Sequence, residues 1–177
     1  MVYVLLVDGF EEIEAIEPID ILRRGGVDLK TVGVYKKSVT GSHGITVEAD
    51  LAIEDVSVED MELLMLPGGP GHGKIEESEE AKKLIMSAVQ KNCWLAAICA
   101  SPSILGKMGL LNGKKATCFP GYEKFLQGAV STLNKVEKDG KFITGKGAGA
   151  AAEFGFAMLE VLMGKETADK IKEGMQY

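Results

Sequence analysis

Apolar residues fill Val2 to Val7 almost without interruption until Asp8-Gly9 breaks the run, the pattern of a strand covered on both faces. Two later runs share it: Glu62 to Leu66, which ends in Pro67-Gly68-Gly69, and Trp94 to Ile98, which runs straight into Cys99. Leu29 to Tyr35 reads as a further strand and Ile45 to Ala49 as a short alternating one. After the first run the period changes. Phe10, Ile13, Ile16, Ile19 and Leu22 form a helical stripe across Glu11 to Arg24, with Gly25-Gly26 as a stop and Pro18 expected to bend the helix or delay its start. Ser78 to Lys91 has the pattern of a helix with a polar face, and Pro102 to Met108 that of a short one. Lys135 to Thr144 predicts a hairpin around Asp139-Gly140, and helices over Ala150 to Met163 and Thr167 to Gly174 close the chain.

Strands that alternate with helices predict an α/β chain: a doubly wound, mostly parallel sheet with helices on both faces, close to a flavodoxin-like plan. Such sheets bind ligands at the carboxyl ends of their strands, which is where chemistry is sought. With 177 residues, 46% of them hydrophobic, the chain supports one sizeable core, and residues 1–177 read as a single domain. Lys and Arg number 20 against 26 Asp and Glu, a net charge of -6 that argues against a nucleic-acid surface and leaves a small molecule or another protein as the partner. The opening MVYVLLVDGFEE has no basic leader and meets acids after one short run, so neither a signal peptide nor a membrane span is expected there. The apolar stretch GAGAAAEFGFAMLEVLMG carries Glu153 and Glu160 seven residues apart on one face, which fits a packed amphipathic helix better than a membrane helix. Three cysteines, Cys93, Cys99 and Cys118, with no CxxC spacing, suit a reducing, cytoplasmic compartment.

Three features could carry chemistry. Cys99 lies where a strand ends and a helix begins, with Ser101 as a candidate N-cap and Pro102 at the first helical position; a helix amino end aimed at the sulfur favours thiolate. A small buried cysteine is the alternative, and spacing alone does not separate the two. The loop LPGGPGHG, Leu66 to Gly73, leaves a different strand at the same sheet edge, so the N–H groups of Gly69 and Ala100 are candidates for an oxyanion hole beside Cys99. An ordinary strand-to-helix loop is the alternative there, and a phosphate P-loop is excluded because its Gly-Lys-Ser/Thr ending is missing. Third, Glu11, Glu12, Glu14 and Glu17 put four glutamates within seven residues, which is normally a solvated helix face. Glu14 differs, because it lies between Ile13 and Ile16 near the apolar stripe, on a helix that follows the first strand's carboxyl end. A carboxyl buried beside a thiolate has a raised pKa, holds a proton and can act as acid and base.

The segments GFEEIEAI, LPGGPG, AAICASP and KGAGAAAEFGFAMLE, in that order, make the chain resemble the DJ-1/ThiJ/PfpI superfamily, its DJ-1 branch in particular, from Val4 to about Tyr177. The resemblance implies a flavodoxin-like fold, a homodimer, a reactive cysteine at Cys99, its glutamate partner at Glu14 and amide donors at Gly69 and Ala100. It further implies glyoxalase- or deglycase-like chemistry on small 2-oxoaldehydes or their adducts, with neither cofactor nor metal. The alternative it carries is a redox sensor or chaperone-like protein in which an oxidant takes Cys99 to the sulfinic acid without turnover. Ala100, where the protease-like branch has histidine, removes the Cys-His dyad of a peptidase. Phe119, in Ala116-Thr117-Cys118-Phe119-Pro120, stands where other relatives carry a histidine, so proton transfer falls to Glu14. His72 is either a cleft residue or a solvated loop histidine, and His43, in TGSHG, falls where relatives carry an arginine near the pocket or dimer seam. Cys118 is either a resolving thiol for Cys99 or a buried strand-end cysteine, and Cys93 reads as structural.

Overall fold

In the computed structural model, which describes residues 1–177, the elements in chain order are β1 (Val2–Leu6), α1 (Glu12–Arg24), β2 (Leu29–Gly33), β3 (Ser38–Thr40), β4 (Thr46–Glu48), β5 (Leu51–Ala52), β6 (Leu63–Leu66), α2 (His72–Glu77), α3 (Glu79–Gln90), β7 (Trp94–Ile98), α4 (Pro102–Lys107), β8 (Lys115–Ala116), β9 (Val130–Ser131), β10 (Val136–Asp139), β11 (Phe142–Gly145), α5 (Ala151–Met163) and α6 (Lys165–Gly174). The apolar runs form the middle of a seven-stranded sheet in the order β10-β11-β7-β6-β1-β2-β5. Every pairing is parallel except the β10–β11 hairpin. This is a flavodoxin-like α/β arrangement. Alternate residues of each central strand enter different cores, as the two-residue period of a strand requires: Val2, Val4, Leu6, Leu63, Met65, Ala96 and Ile98 on one face, and Tyr3, Leu5, Leu64, Leu66, Leu95 and Ala97 on the other. No helix is long and apolar enough to cross a membrane; the apolar stretch α5 packs against α1 and α6.

Several local expectations are corrected. Ile13 and Ile16 are exposed at 51% and 39%, while the buried face of α1 is Glu12, Glu14, Ala15, Pro18, Ile19, Ile21 and Leu22. A period of three residues walks around a helix of 3.6 residues per turn by about 60° a step, so five such positions cannot share one face. Pro18 neither ends nor delays α1, which is one helix from Glu12 to Arg24. The segment Ile45 to Ala49 contributes β4, paired with β3 in a two-stranded sheet of its own, and the strand from Leu29 stops at Gly33. The glutamate run is not a solvated face throughout: Glu12 is 7% exposed and its carboxylate holds the loop before β4, accepting the His43 N–H at 2.7 Å. That bond and the His43 ring at 2.9 Å outweigh its burial and hold Glu12 down at about 2.

Candidate active site

β7 delivers Cys99 into a sharp turn: its φ is 66°, a left-handed conformation that a residue with a side chain adopts only when its surroundings impose it. The constraint comes from both sides. Cys99 N–H donates to the Gly145 carbonyl at the end of β11 at 2.9 Å, and the Cys99 carbonyl accepts the Phe119 N–H at 2.8 Å. Ser101, expected as an N-cap, instead donates its hydroxyl to the Pro67 carbonyl at 2.6 Å and ties the β7 turn to the glycine loop after β6; no side chain caps the six-residue α4. That loop must be glycine for steric reasons. A Cβ on Gly68 would lie 2.5 Å from Cys99 Cβ and 2.4 Å from Glu14 Oε2, and one on Gly69, whose φ is 97°, would lie 2.4 Å from the Glu11 nitrogen. With the side chains gone, the backbone N–H groups of Gly69 and Ala100 converge on the Cys99 sulfur as hydrogen-bond donors.

Glu14 reaches this point from the first turn of α1, where the Glu11 carboxylate caps the helix by accepting the Glu14 N–H at 2.8 Å. It is 1% exposed, its carboxyl faces the Cys99 thiol and the Gly68 and Ala148 amides, and its Oε2 is buried without a hydrogen-bond partner. Burial, reinforced by the charge of Glu11, raises the carboxyl to about 7 despite those contacts. Burial and the adjacent Glu14 charge push the Cys99 thiol up to about 12, against the pull of the Gly69 and Ala100 amides. The pull of the amides toward thiolate, expected from a helix amino end, is thus opposed by burial and by Glu14. Two anions side by side in a dry site repel, so near neutrality the pair shares protons, and the sulfur is ionised when the proton sits on Glu14.

The other residues singled out by sequence are dispersed. His72 clamps the glycine loop: its Nδ1–H donates to the Gly69 carbonyl at 3.0 Å and its ring meets Tyr122 edge-on. His43 is an exposed partner of Glu12, raised by that carboxylate. Donor atoms of Glu11, Glu12 and His43 lie within 4.8 Å of one another, but each is engaged in the capping and loop contacts already described. Cys118 is 4% exposed and belongs to the core on one sheet face, while Cys99 packs against the core on the other. Cys93 is buried with its thiol donating to the Met61 carbonyl at 2.9 Å. Phe119 stands beside the site, with its ring next to Gly147. Sequence reading picked out the segments that hold Gly68, Lys146 and Ala148 but gave these three residues no role of their own, because their importance is one of contact between distant segments.

Residues 1–161 match the sequence profile of the DJ-1/PfpI family. The chain belongs to the DJ-1/PfpI family. Among family members, it is 38% identical to Protein DJ-1 homolog B of Arabidopsis thaliana over 92% of its own length, but spans 38% of that longer relative. It is 32% identical to the glutathione-independent glyoxalase DJR-1.2 of Caenorhabditis elegans, covering 91% of this chain and 87% of that one. The crystal structure of Drosophila melanogaster DJ-1beta superposes with a TM-score of 0.93 at 32% identity, over 99% of this chain and 96% of that one.

Proposed function

We propose that this DJ-1/PfpI protein is a cysteine enzyme of the glyoxalase or deglycase type, acting without a cofactor on small 2-oxoaldehydes or their adducts. The observation that carries the reading is the buried, partnerless Glu14 Oε2 beside a cysteine held at positive φ between two inward-facing amides. The glyoxalase named among the relatives supports it. With the shared proton on Glu14, the Cys99 thiolate adds to the aldehyde carbon, and the carbonyl oxygen, held by the Gly69 and Ala100 amides, takes a proton from Glu14 to give a hemithioacetal. Glu14, now carboxylate, removes the hydrogen on that carbon as a proton and returns it to the neighbouring carbon, while the hydroxyl proton passes from the first oxygen to the former ketone oxygen, so that the first carbon becomes the thioester carbonyl. The resulting thioester is hydrolysed by water, releasing a 2-hydroxy acid and the free thiol. The sum is aldehyde plus water to hydroxy acid, and no external oxidant is consumed.

The test is lactate formation from methylglyoxal by wild type, Cys99→Ala and Glu14→Gln. Wild-type turnover with loss of about a hundredfold or more in each variant is expected; a wild-type rate equal to that of Cys99→Ala defeats the reading. We further read the outer face of α1 as a homodimer surface. It presents Ile13 and Ile16, and Ile45, 56% exposed, follows on the loop held by Glu12. Three cysteines that form no disulfide support a reducing compartment, the cytoplasm on this reading.

A further inference from the structure

A cleft of about 430 Å³ opens beside the Cys99–Glu14 pair, walled by Phe119, Pro120, Lys135, Lys146 and the turn from Gly147 to Ala150. Gly147 separates it from Glu14: a Cβ placed there would lie 3.3 Å from the Phe119 ring and 3.9 Å from Glu14 Oε1. The main chain links the cleft to Cys99, since Phe119 N–H donates to the Cys99 carbonyl and the residue before Lys146 accepts the Cys99 N–H. Clefts of this size hold whole small-molecule ligands, about 300–1,000 Å³, and a three-carbon aldehyde would fill little of it.

The walls are unevenly charged. No acidic side chain lines the cleft. The Lys135 ammonium is paired with Glu153, whereas Lys146 Nζ meets only the Leu133 carbonyl at 3.5 Å. In a chain of net charge -6, Lys146 is thus a cation without a counter-ion, facing the space next to the nucleophile. Phe119 stays 48% exposed and offers an apolar wall on the way to it.

We infer that this cleft is the subsite for the substrate's tail, and that the preferred substrates carry an anionic group at the far end of a short aliphatic chain. Lys146 binds the anion, and Phe119 packs against the methylene groups in between. The inference rests on the reading of Cys99 as the group that attacks an aldehyde. It also explains why an aromatic residue suits position 119: the side chain is a specificity wall, and proton transfer belongs to Glu14.

Binding and turnover separate the two readings. The unreactive keto acid 4-oxopentanoate and its uncharged counterpart 2-pentanone are titrated into the full chain by NMR, with wild type, Lys146→Gln and Lys146→Arg. The expected result is a Kd for 4-oxopentanoate about tenfold tighter than for 2-pentanone, lost in Lys146→Gln and retained in Lys146→Arg. In turnover, the kcat/KM ratio of 4,5-dioxopentanoate over methylglyoxal falls about tenfold in Lys146→Gln. Equal binding of the acid and the ketone, or a preference that survives in Lys146→Gln, overturns the subsite and leaves methylglyoxal turnover to stand on its own. Lys146-dependent binding of the acid with no turnover of either aldehyde upholds the subsite and removes the glyoxalase reading.

Discussion

Glu14 sets two pH dependences of opposite kind. Its folded value of about 7 lies above the ordinary carboxyl value of 4.5, so between these pH values the native chain binds more protons than the unfolded one. The stability this contributes is complete below about pH 4.5 and is lost as pH rises through about 7, amounting to about 3 kcal/mol at most. Glu14→Gln escapes that loss, so thermal melts should show the variant more stable than wild type at pH 8, with the gap closing at pH 5. Activity runs the other way. Below about 7 both Glu14 and Cys99 hold protons and no nucleophile forms, so kcat/KM toward methylglyoxal should rise with pH through about 7 and then level off; a flat profile from pH 5.5 to 8.5 counts against the shared proton. The other thiols are out of reach: Cys93 and Cys118 are buried, whereas Cys99 is partly exposed. Brief native alkylation read by peptide mass spectrometry should therefore mark Cys99 alone, and mild peroxide should leave no Cys99–Cys118 disulfide, because the two side chains belong to opposite sheet faces.

Three elements end at one place, and their loops hold the site. The β6 loop brings Gly68 and Gly69, the β7 turn brings Cys99 and Ala100, and the first turn of α1 brings Glu14. Ser101 on Pro67 and the Glu11 N–H on the Gly68 carbonyl at 3.0 Å bind them together. The fit at Gly68 is tight enough that one methyl group would collide with both reacting side chains. Gly68→Ala is expected to lower kcat/KM by about a hundredfold, a displacement of reacting groups by about 1 Å being sufficient, while far-UV circular dichroism stays that of wild type. Unchanged kinetics would show that the loop yields more easily than its contacts indicate. The short α4 adds little as a dipole; the local amides act on the sulfur directly.

At the scale of the whole molecule, the sheet's two faces are closed by helices, yet α1 keeps Ile13 and Ile16 in solvent although it carries the buried Glu14. Covering that face with a second copy would bury apolar surface at roughly 25 cal/mol per Å² and place the interface one helical turn from Glu14. Sedimentation velocity should find wild type as a dimer and Ile13→Asp shifted toward monomer at micromolar concentration. A wild type that sediments as a monomer at all concentrations removes the dimer reading.

Patterning along the chain was enough for the parallel core and for the two loops that meet at Cys99. Strands buried on both faces read as unbroken apolar runs, and glycine clusters mark the points where a backbone must turn or come close. Glu14 was singled out by its place between Ile13 and Ile16, an apolar stripe that the fold turns to solvent; its burial, like that of Glu12, comes from the other face of α1. What the tertiary structure alone decided is which groups share a proton and which face water. Cys99's strained φ, the orphaned oxygen of Glu14 and the uncompensated Lys146 all arise where β6, β7, β11 and α1 converge. The exposure of Ile13 and Ile16 and the burial of Glu12 likewise depend on what packs beside α1. A linear pattern records the polarity of each residue, but the dielectric around a charge and the partner of a polar atom belong to neighbours distant in sequence, and only the folded chain brings those together.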